Sequence, residues 1–405
     1  MLPPMRLIVL VLLGSALLPG ATLASDLFDA CAAAGASAYE PGFEGIGPVG
    51  INPTSGYDTI EACEPALAED PQNLRIKAWL GVAYIADGRP AEAVPLLEPA
   101  ADAGNVVAQR ALGDLLILGQ GIARDPERGA ALLRSAADAG FAPAQLSLAY
   151  SYDFGDGVAP DPAQALTLYT AAAEAGLGKA QVIVGKRYSE GRGVEQSDAQ
   201  AFAWFKRAAD GGDAEGQYRL GRAYLEGRGT KASKAKALAA FQASSDQYYP
   251  DGINALGYMT QVGIGIAADP AAAAALYTDA KQRNLPLGQY NLALLEEDGI
   301  GVDADPADAR ALYLGAARAG EMRAAVNLGL MYLGGKGGQP DVDEGFRWTK
   351  LAADAGNVVA INNLARLYEL GLGVEADAQK ARALYAQAAA TGYAPAKSNL
   401  RRLGG

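Results

Sequence analysis

The sequence predicts an all-α protein, a solenoid (superhelix) of stacked helix pairs. The main observation is an internal repeat, since the chain from Asn105 to Gly392 is phased at 36 residues in eight units without an insertion or deletion. Positions 15 and 17 of every unit are glycine, as at Gly119 and Gly121, and position 8 is always aliphatic. A constant period of this length is typical of arrays in which one unit cannot bury its own apolar face.

The amino terminus, residues 1–24, has the pattern of a cleaved secretory signal. One positive charge precedes an apolar run from Leu7 to Leu18, and small residues lead to a cleavage site after Ala24. The run is too short for a spanning helix, which needs ~20 apolar residues, so an uncleaved anchor is the weaker alternative. We therefore expect an exported protein, in the bacterial periplasm or, alternatively, secreted.

Residues 25–72 are expected to form a cap segment held by one disulfide. Cys31 and Cys63 are the two cysteines of the chain, and in an oxidising compartment they pair most simply with each other. The alternative, a redox or nucleophilic thiol, lacks a Cys-x-x-Cys pair and a histidine to activate it.

Each 36-residue unit is predicted to form a first helix, a glycine turn and a second helix. Glycines at positions 15 and 17 allow the positive φ that ends the first helix. Position 21 is Asp in six units, followed by Pro in four, as at Asp125-Pro126. These residues favour the start of the second helix, which we expect to extend to position 36, a glycine in six units.

Both ends of the array carry related segments. Residues 73–104 contain Ala78-Trp79-Leu80-Gly81 and Tyr84 and resemble a tetratricopeptide unit, which suits an entry into the array. Residues 393–405 repeat the start of a first helix and are predicted to form a C-terminal capping helix. Stacking then gives about nine helix pairs whose neighbours bury each other.

The residue order within the units resembles the Sel1-like repeat: Ala, Leu-Gly, Tyr, Gly-x-Gly-Val, Asp, an aromatic residue, an Ala pair and a final Gly. The resemblance covers residues 105–392. It implies an α/α superhelix akin to tetratricopeptide arrays, which serves as an adaptor that binds other proteins. Members of this family are often exported bacterial proteins that act in regulation, envelope assembly or host contact.

Composition excludes several classes of function. The chain contains no histidine, which removes Ser-His-Asp and Cys-His catalysis and histidine metal ligands. A formal net charge of −12 argues against nucleic acid or anionic lipid as the main partner. No metal-binding loop pattern occurs, and we predict no cofactor, no metal site, no membrane insertion and no catalytic residue.

One string of residues leaves an enzymatic alternative. Ser233 begins a Ser-x-x-Lys string that ends at Lys236, as in penicillin-reactive enzymes, and a cysteine-rich branch of the resembled family is linked to β-lactam binding or hydrolysis. Ser233 nevertheless occupies position 21, where six units have the helix-capping Asp, and the paired cysteines of that branch are missing. A β-lactam- or cell-wall-directed hydrolase that uses Ser233 is the alternative function.

By analogy with tetratricopeptide arrays, positions 6, 10 and 13 of the first helix should face the concave surface. Tyrosine and arginine are enriched at protein-binding hot spots. The candidate partner-binding residues are Lys186, Tyr218, Arg222, Tyr258 and Tyr290. The alternative is that these tyrosines only pack between neighbouring first helices.

The sequence therefore predicts a non-catalytic exported scaffold that binds another protein in a concave groove. An extended acidic peptide is one candidate ligand, and a periplasmic regulator of an envelope or signalling protein is one candidate role. The partner and the oligomeric state stay open.

Overall fold

The computed structural model describes residues 19–40, 42 and 56–404, which form 21 helices and no strand. Residues 1–18 of the predicted signal segment lie outside the described residues, and the expected cleavage site after Ala24 falls within the first helix. The chain divides into two compact units. The first contains the residues up to Arg187 and Gly191–Glu195, and the second contains Tyr188–Glu190 and the residues from Gln196 onward.

The first unit begins with four helices ahead of the 36-residue repeats. These helices are α1 (Pro19–Gly35), α2 (Gly56–Glu69), α3 (Leu74–Ala86) and α4 (Pro90–Asp102). The Cys31–Cys63 disulfide joins α1 to α2, as predicted, and both cysteines are fully buried. Both helices pack on α3 through apolar side chains of the same core cluster.

Trp79 of α3 is the centre of the packing beneath α1 and α2. Its side chain is fully buried, with the Phe28 ring centroid 5.5 Å from its own. The indole N–H donates to a carboxylate oxygen of Glu40 at 2.8 Å, and burial raises the pKa of that carboxyl. The hydrogen bond satisfies both polar groups inside an apolar environment.

The remaining helices of the first unit belong to the repeats. They are α5 (Val106–Leu118), α6 (Pro126–Asp138), α7 (Ala142–Phe154), α8 (Pro162–Glu174) and α9 (Gly178–Glu190), whose last three residues are grouped with the second unit. Each of these helices has 13 residues.

The second unit continues the same alternation of first and second helices. Its helices are α10 (Asp198–Asp210), α11 (Ala214–Glu226), α12 (Lys234–Asp246), α13 (Pro250–Val262), α14 (Pro270–Gln282), α15 (Pro286–Asp298), α16 (Pro306–Arg318), α17 (Met322–Gly334), α18 (Val342–Asp354), α19 (Val358–Leu370), α20 (Ala378–Ala390) and α21 (Ala394–Arg402).

The ends of the helices follow from the residues at the repeat positions. The position-21 side chain caps each second helix, and Asp125, for example, accepts from the backbone N–H of Arg128 at 3.1 Å. Each second helix ends at position 34, two residues before the expected end, and position 36 takes a left-handed conformation. Tyr248 and Asn284 adopt this conformation in the two units that lack glycine there, with φ of 60° and 57°.

The core of each unit is built largely from small residues. Position 25, as at Ala165 and Ala237, and position 32, as at Ala172 and Ala388, are fully buried. Larger buried side chains such as Tyr313 fill the space between successive helix pairs. Because alanine lets two helix backbones approach closely, the packing needs little side-chain volume and pays little rotamer entropy.

The glycine at position 17 rests on the preceding repeat. A Cβ added at Gly157 would lie 1.9 Å from the carbonyl oxygen of Pro126, whereas one added at Gly193 would meet nothing closer than 3.8 Å. Both glycines have similar positive φ, 72° and 77°. The two sites therefore share the backbone conformation and differ in the space available.

We expect Gly157→Ala to destabilise the chain far more than Gly193→Ala. The positive φ alone costs about 1 kcal/mol for alanine, and the collision at Gly157 adds about 1–3 kcal/mol. Urea unfolding followed by circular dichroism measures both variants against the unaltered protein. Equal losses of stability at the two positions would contradict the close contact.

We also expect Cys31→Ala with Cys63→Ala to weaken the amino-terminal helices. The disulfide closes a loop with a sequence separation of 32 residues, which corresponds to about 3–4 kcal/mol on the chain-entropy model. The loss should appear as an early phase in thermal unfolding followed by tryptophan fluorescence, because repeat arrays lose structure by neighbouring segments. An unchanged unfolding curve would show that packing around Trp79 alone holds α1 and α2.

Candidate partner-binding surface

Within each unit the first helices present positions 6, 10 and 13 on the same side, which we call the first-helix face. In the first unit a cleft between α5 and α7 is lined by Arg110, Asp114 and Ile117, at positions 6, 10 and 13 of their repeat. In the second unit a cleft at the carboxyl end is lined by residues at the same positions, Asn362, Arg366 and Glu369. The three positions therefore share a surface within each unit.

Tyr218 and Arg222 lie one helical turn apart on α11. The ring of Tyr218 is partly buried, with centroids 5.9 Å from Phe241 and 5.8 Å from Tyr249. The Arg222 guanidinium donates to Glu226 at 2.7 and 3.1 Å, and this hydrogen bond raises the pKa of Arg222. Tyr218 thus contributes mainly to packing, and Arg222 presents its charge at the surface.

Tyr258 and Tyr290 differ in exposure although both were predicted as binding residues. Tyr258 on α13 is 51% exposed. Tyr290 on α15 is partly buried, with its ring centroid 5.9 Å from that of Tyr313 and the Arg323 guanidinium 4.9 Å from its centre. The described ring contacts of Tyr218 and Tyr290 are made with second helices and with Tyr249, which precedes α13.

Lys186, the fifth predicted residue, lies on α9 in the first unit and is partly buried. The other four predicted residues belong to the second unit.

Position 14 adds apolar side chains to the first-helix face that the sequence interpretation missed. In the first unit Leu118 and Phe154 are 61% and 69% exposed, and in the second unit Val262 and Leu370 are 52% and 53% exposed. Large apolar residues that stay exposed in register are typical of interaction surfaces. The signal in the sequence is a hydrophobic residue directly before the first turn glycine.

Position 13 has a structural role that the sequence interpretation also missed. The hydroxyl of the position-29 tyrosine donates to the position-13 side chain of its own repeat, as from Tyr313 to Glu297 at 2.8 Å and from Tyr385 to Glu369 at 2.9 Å. Burial, reinforced by the contact with Glu369, raises the pKa of Tyr385 to about 12. These hydrogen bonds link the position-13 side chain to a buried tyrosine of the core.

One of these pairs extends into a buried ion pair in the first unit. Asp153 accepts from Tyr169 at 2.8 Å and also from Arg187, whose guanidinium lies 4.8 Å from the Tyr169 ring centre. The side chains of Asp153 and Arg187 are 7% and 5% exposed. Burial and the carboxylate raise the pKa of Tyr169. Removal of either partner of a buried charge pair leaves an uncompensated charge, so Asp153 and Arg187 depend on each other.

Ser233 performs a capping role at the start of α12. Its hydroxyl accepts from the backbone N–H of Lys236 at 3.4 Å. The Lys236 ammonium lies 5.2 Å from the ring centre of Tyr224. Nucleophilic catalysis requires a base within hydrogen-bond reach of the hydroxyl, and these contacts do not provide that pairing.

The described residues hold no group of three acidic, cysteine or histidine side chains arranged to bind a metal ion. Among the same residues, no helix has both the length and the apolar character that a bilayer crossing requires.

Among the carboxyl groups of the second unit, that of Glu296 has the most strongly shifted pKa. It occupies position 12, which is tyrosine in five repeats, and it lies near Asp308, Asp305 and Lys281. Burial and the neighbouring carboxylates raise the pKa of Glu296 to about 7. Lys281, which pairs with Asp308 at 3.3 Å, opposes this effect.

We expect Glu296→Gln to stabilise the chain at pH 8 and to have little effect at pH 5. A folded-state pKa above the unfolded value contributes stability that is full below the unfolded pKa and is lost as the pH rises through about 7. Solvent screening at this partly exposed carboxyl limits the effect to about 1 kcal/mol.

Thermal melts at both pH values measure this effect, with Asp303→Asn, which changes an exposed loop carboxyl, as the control. A benefit of Glu296→Gln that is the same at pH 5 and pH 8 would contradict the raised pKa.

Family models and solved structures identify related proteins. The Sel1 repeat model matches eight segments: residues 106–141, 142–177, 178–213, 214–248, 250–284, 286–321, 323–357 and 358–393. A tetratricopeptide repeat model matches residues 58–115. No curated protein sequence matches the chain significantly.

Two solved bacterial structures are similar over most of the chain. One is a protective antigen present in uropathogenic Escherichia coli strains that displays an SLR fold, with 33% identity and a TM-score of 0.61 over 75% of this chain. This chain covers only 65% of that protein. The other is a Sel1 repeat protein from Oxalobacter formigenes, with 31% identity and a TM-score of 0.59, which covers 76% of this chain and 90% of its own.

Proposed function

The chain belongs to the Sel1 repeat family, whose solenoids are a type of protein-interaction scaffold, and from this premise we propose that it binds another protein through its first-helix face. The proposed surface is the concave one, and the proposed role is that of an exported scaffold, such as a periplasmic regulator of an envelope or signalling protein. The observation that carries the proposal is the exposure of large side chains at position 10 of the second unit.

Position 10 supplies large side chains that a partner can bury and also positively charged side chains. Tyr258 and Leu330 are 51% and 49% exposed, and Arg222 and Arg366 are exposed in the same register. Leaving large apolar side chains in water gains nothing for folding, whereas tyrosine and arginine contribute strongly when a partner covers them. Lys186 is the corresponding candidate in the first unit and is tested separately.

The proposed scaffold has no catalytic activity. Sel1 and tetratricopeptide repeat proteins are generally non-catalytic scaffolds. The contacts of Ser233 are those of a helix cap, and the sequence contains no histidine. These observations favour the scaffold over the β-lactam- or cell-wall-directed hydrolase.

The proposed location is outside the cytoplasm. The Cys31–Cys63 disulfide is typical of an oxidising compartment, and the signal pattern of residues 1–24 supports export to the periplasm. Amino-terminal sequencing of the protein purified from cells should begin at Ser25.

Site-specific photo-crosslinking in cells of the source organism tests the proposed surface. A benzophenone side chain at position 258 should give a discrete crosslinked product, and one at position 330 should capture the same protein, because both positions lie on the first-helix face. Tyr248 provides the matched control, since it is 58% exposed in the same unit but lies in a turn between helices.

Mass spectrometry identifies the captured protein, and Arg222→Gln is introduced beside the crosslinker at position 258. We expect Arg222→Gln to reduce the yield severalfold without changing the circular dichroism melt. Equal capture from positions 248 and 258, or capture unaffected by Arg222→Gln, would contradict the proposed face. A crosslinker at position 186 tests the candidate of the first unit by itself, and absence of a product there would contradict the role of Lys186.

A further inference from the structure

A cleft between α10 and α11 in the second unit differs from the other junctions between repeats. Its walls include Phe202 and Phe205 of α10 and Arg219, Arg222 and Ala223 of α11. Ser189, at position 13 of the third repeat, also lines it. We call this cleft the anchor cleft.

The cleft follows from two small residues that meet at one junction. In the other repeats position 13 has a larger side chain, as in Leu225, Gln261 and Glu297. Position 11 of the following first helix is usually large as well, and in the second unit Met259, Leu295, Met331 and Leu367 are buried there. Only the junction of the third and fourth repeats combines two small residues, Ser189 and Ala223.

The aromatic wall also lacks the hydroxyl group that other repeats have at position 29. In four other repeats a tyrosine hydroxyl at position 29 is bonded to the position-13 side chain, whereas here position 29 is Phe205. Phe205 is 7% exposed, and the ring of Phe202 lies 5.4 Å from that of Tyr224 in an edge-on arrangement. The floor and one wall of the cleft are therefore apolar.

Arginine side chains line the rim of the cleft. Arg219, Arg222 and Arg228 line it, against two lining carboxylates, Asp198 and Glu226. Glu226 alone accepts from both Arg222 at 2.7 Å and Arg228 at 2.8 Å. Arg219 pairs with Glu215 at 3.0 Å, so the arginines that share one carboxylate at the rim are Arg222 and Arg228.

We propose that the anchor cleft binds an apolar side chain of the partner that lies next to a carboxylate. The apolar group packs against Phe205 and over Ala223, and the carboxylate pairs with the guanidinium of Arg222 at the rim. A guanidinium group can bind a carboxylate through two parallel hydrogen bonds. Because Arg222 and Arg228 share the single carboxylate of Glu226, they keep N–H donors for a second carboxylate. The inference rests on the proposed function, since it names the chemistry of the partner at one part of the first-helix face.

A small-molecule probe tests the chemistry directly. We expect 3-phenylpropionate to bind the purified full chain saturably at millimolar concentration in a ligand-observed NMR titration, in line with the affinity of fragments of this size. The uncharged amide, 3-phenylpropionamide, should bind at least fivefold more weakly. Arg222→Gln should weaken binding of the acid about fivefold and leave binding of the amide nearly unchanged.

Ser189→Leu tests the location. Leucine occupies the same repeat position at Leu225 and Leu333, so this variant should fold, and it fills the cleft. We expect at least a tenfold loss of 3-phenylpropionate binding with an unchanged or raised melting temperature. Arg347→Gln removes an exposed arginine of α18, a second helix that is not part of the first-helix face, and is the matched control, with unchanged binding expected.

Two results would overturn the inference: equal binding of the acid and the amide, or binding that survives Ser189→Leu. The crosslinking experiment separates this outcome from the proposed function. Capture from position 258 that Ser189→Leu abolishes supports the cleft, and capture that the variant leaves unchanged overturns the cleft while the scaffold function stands. Absence of any product at position 258 counts against the proposed function itself.

Discussion

The packing of one repeat on the next depends on the contact between the position-17 glycine and the start of the preceding second helix. A Cβ at Gly157, Gly229 or Gly337 would lie only 1.9–2.1 Å from a backbone carbonyl oxygen of the preceding repeat. Backbone meets backbone there, so no side chain can adjust the distance. At these junctions the contact fixes the spacing of successive helix pairs, whereas a Cβ added at Gly193 would meet nothing closer than 3.8 Å.

Features set by the backbone could be predicted from the sequence, because they depend on residues that allow few conformations. Glycine at position 15 and Asp or Ser at position 21 predicted where helices end and begin, and the Cys31–Cys63 pairing followed from having two cysteines. Side-chain partners were harder to predict. Tyr218 and Tyr290 have positions typical of a binding surface, yet they pack against Phe241 and Tyr313. The tyrosine side chain is long enough to reach the second helix of the same repeat.

The hydrogen bonds from position 29 to position 13 were present in the sequence as a correlation. Tyrosine occurs at position 29 only in repeats whose position 13 is Asp, Gln or Glu, as in the pair Tyr385 and Glu369. A buried hydroxyl needs a hydrogen-bond acceptor, and the position-13 side chain gains a donor from it. Tyrosine at position 29 and a polar acceptor at position 13 therefore occur in the same repeats. The dependence lies in the pairing of positions 13 and 29 within each repeat and not in either position alone.

Fixed spacing also explains where new binding chemistry can arise at low cost. Repeat arrays are stabilised mainly by neighbouring interfaces, so small residues at one junction weaken that interface and leave the others intact. Ser189 and Ala223 remove side-chain volume, but the backbone contact at Gly229, 2.0 Å from a carbonyl oxygen for an added Cβ, keeps the helices from closing the gap. The cleft therefore stays open, whereas a globular core would close around the missing volume. The side chains at position 10 then determine the chemistry of its rim.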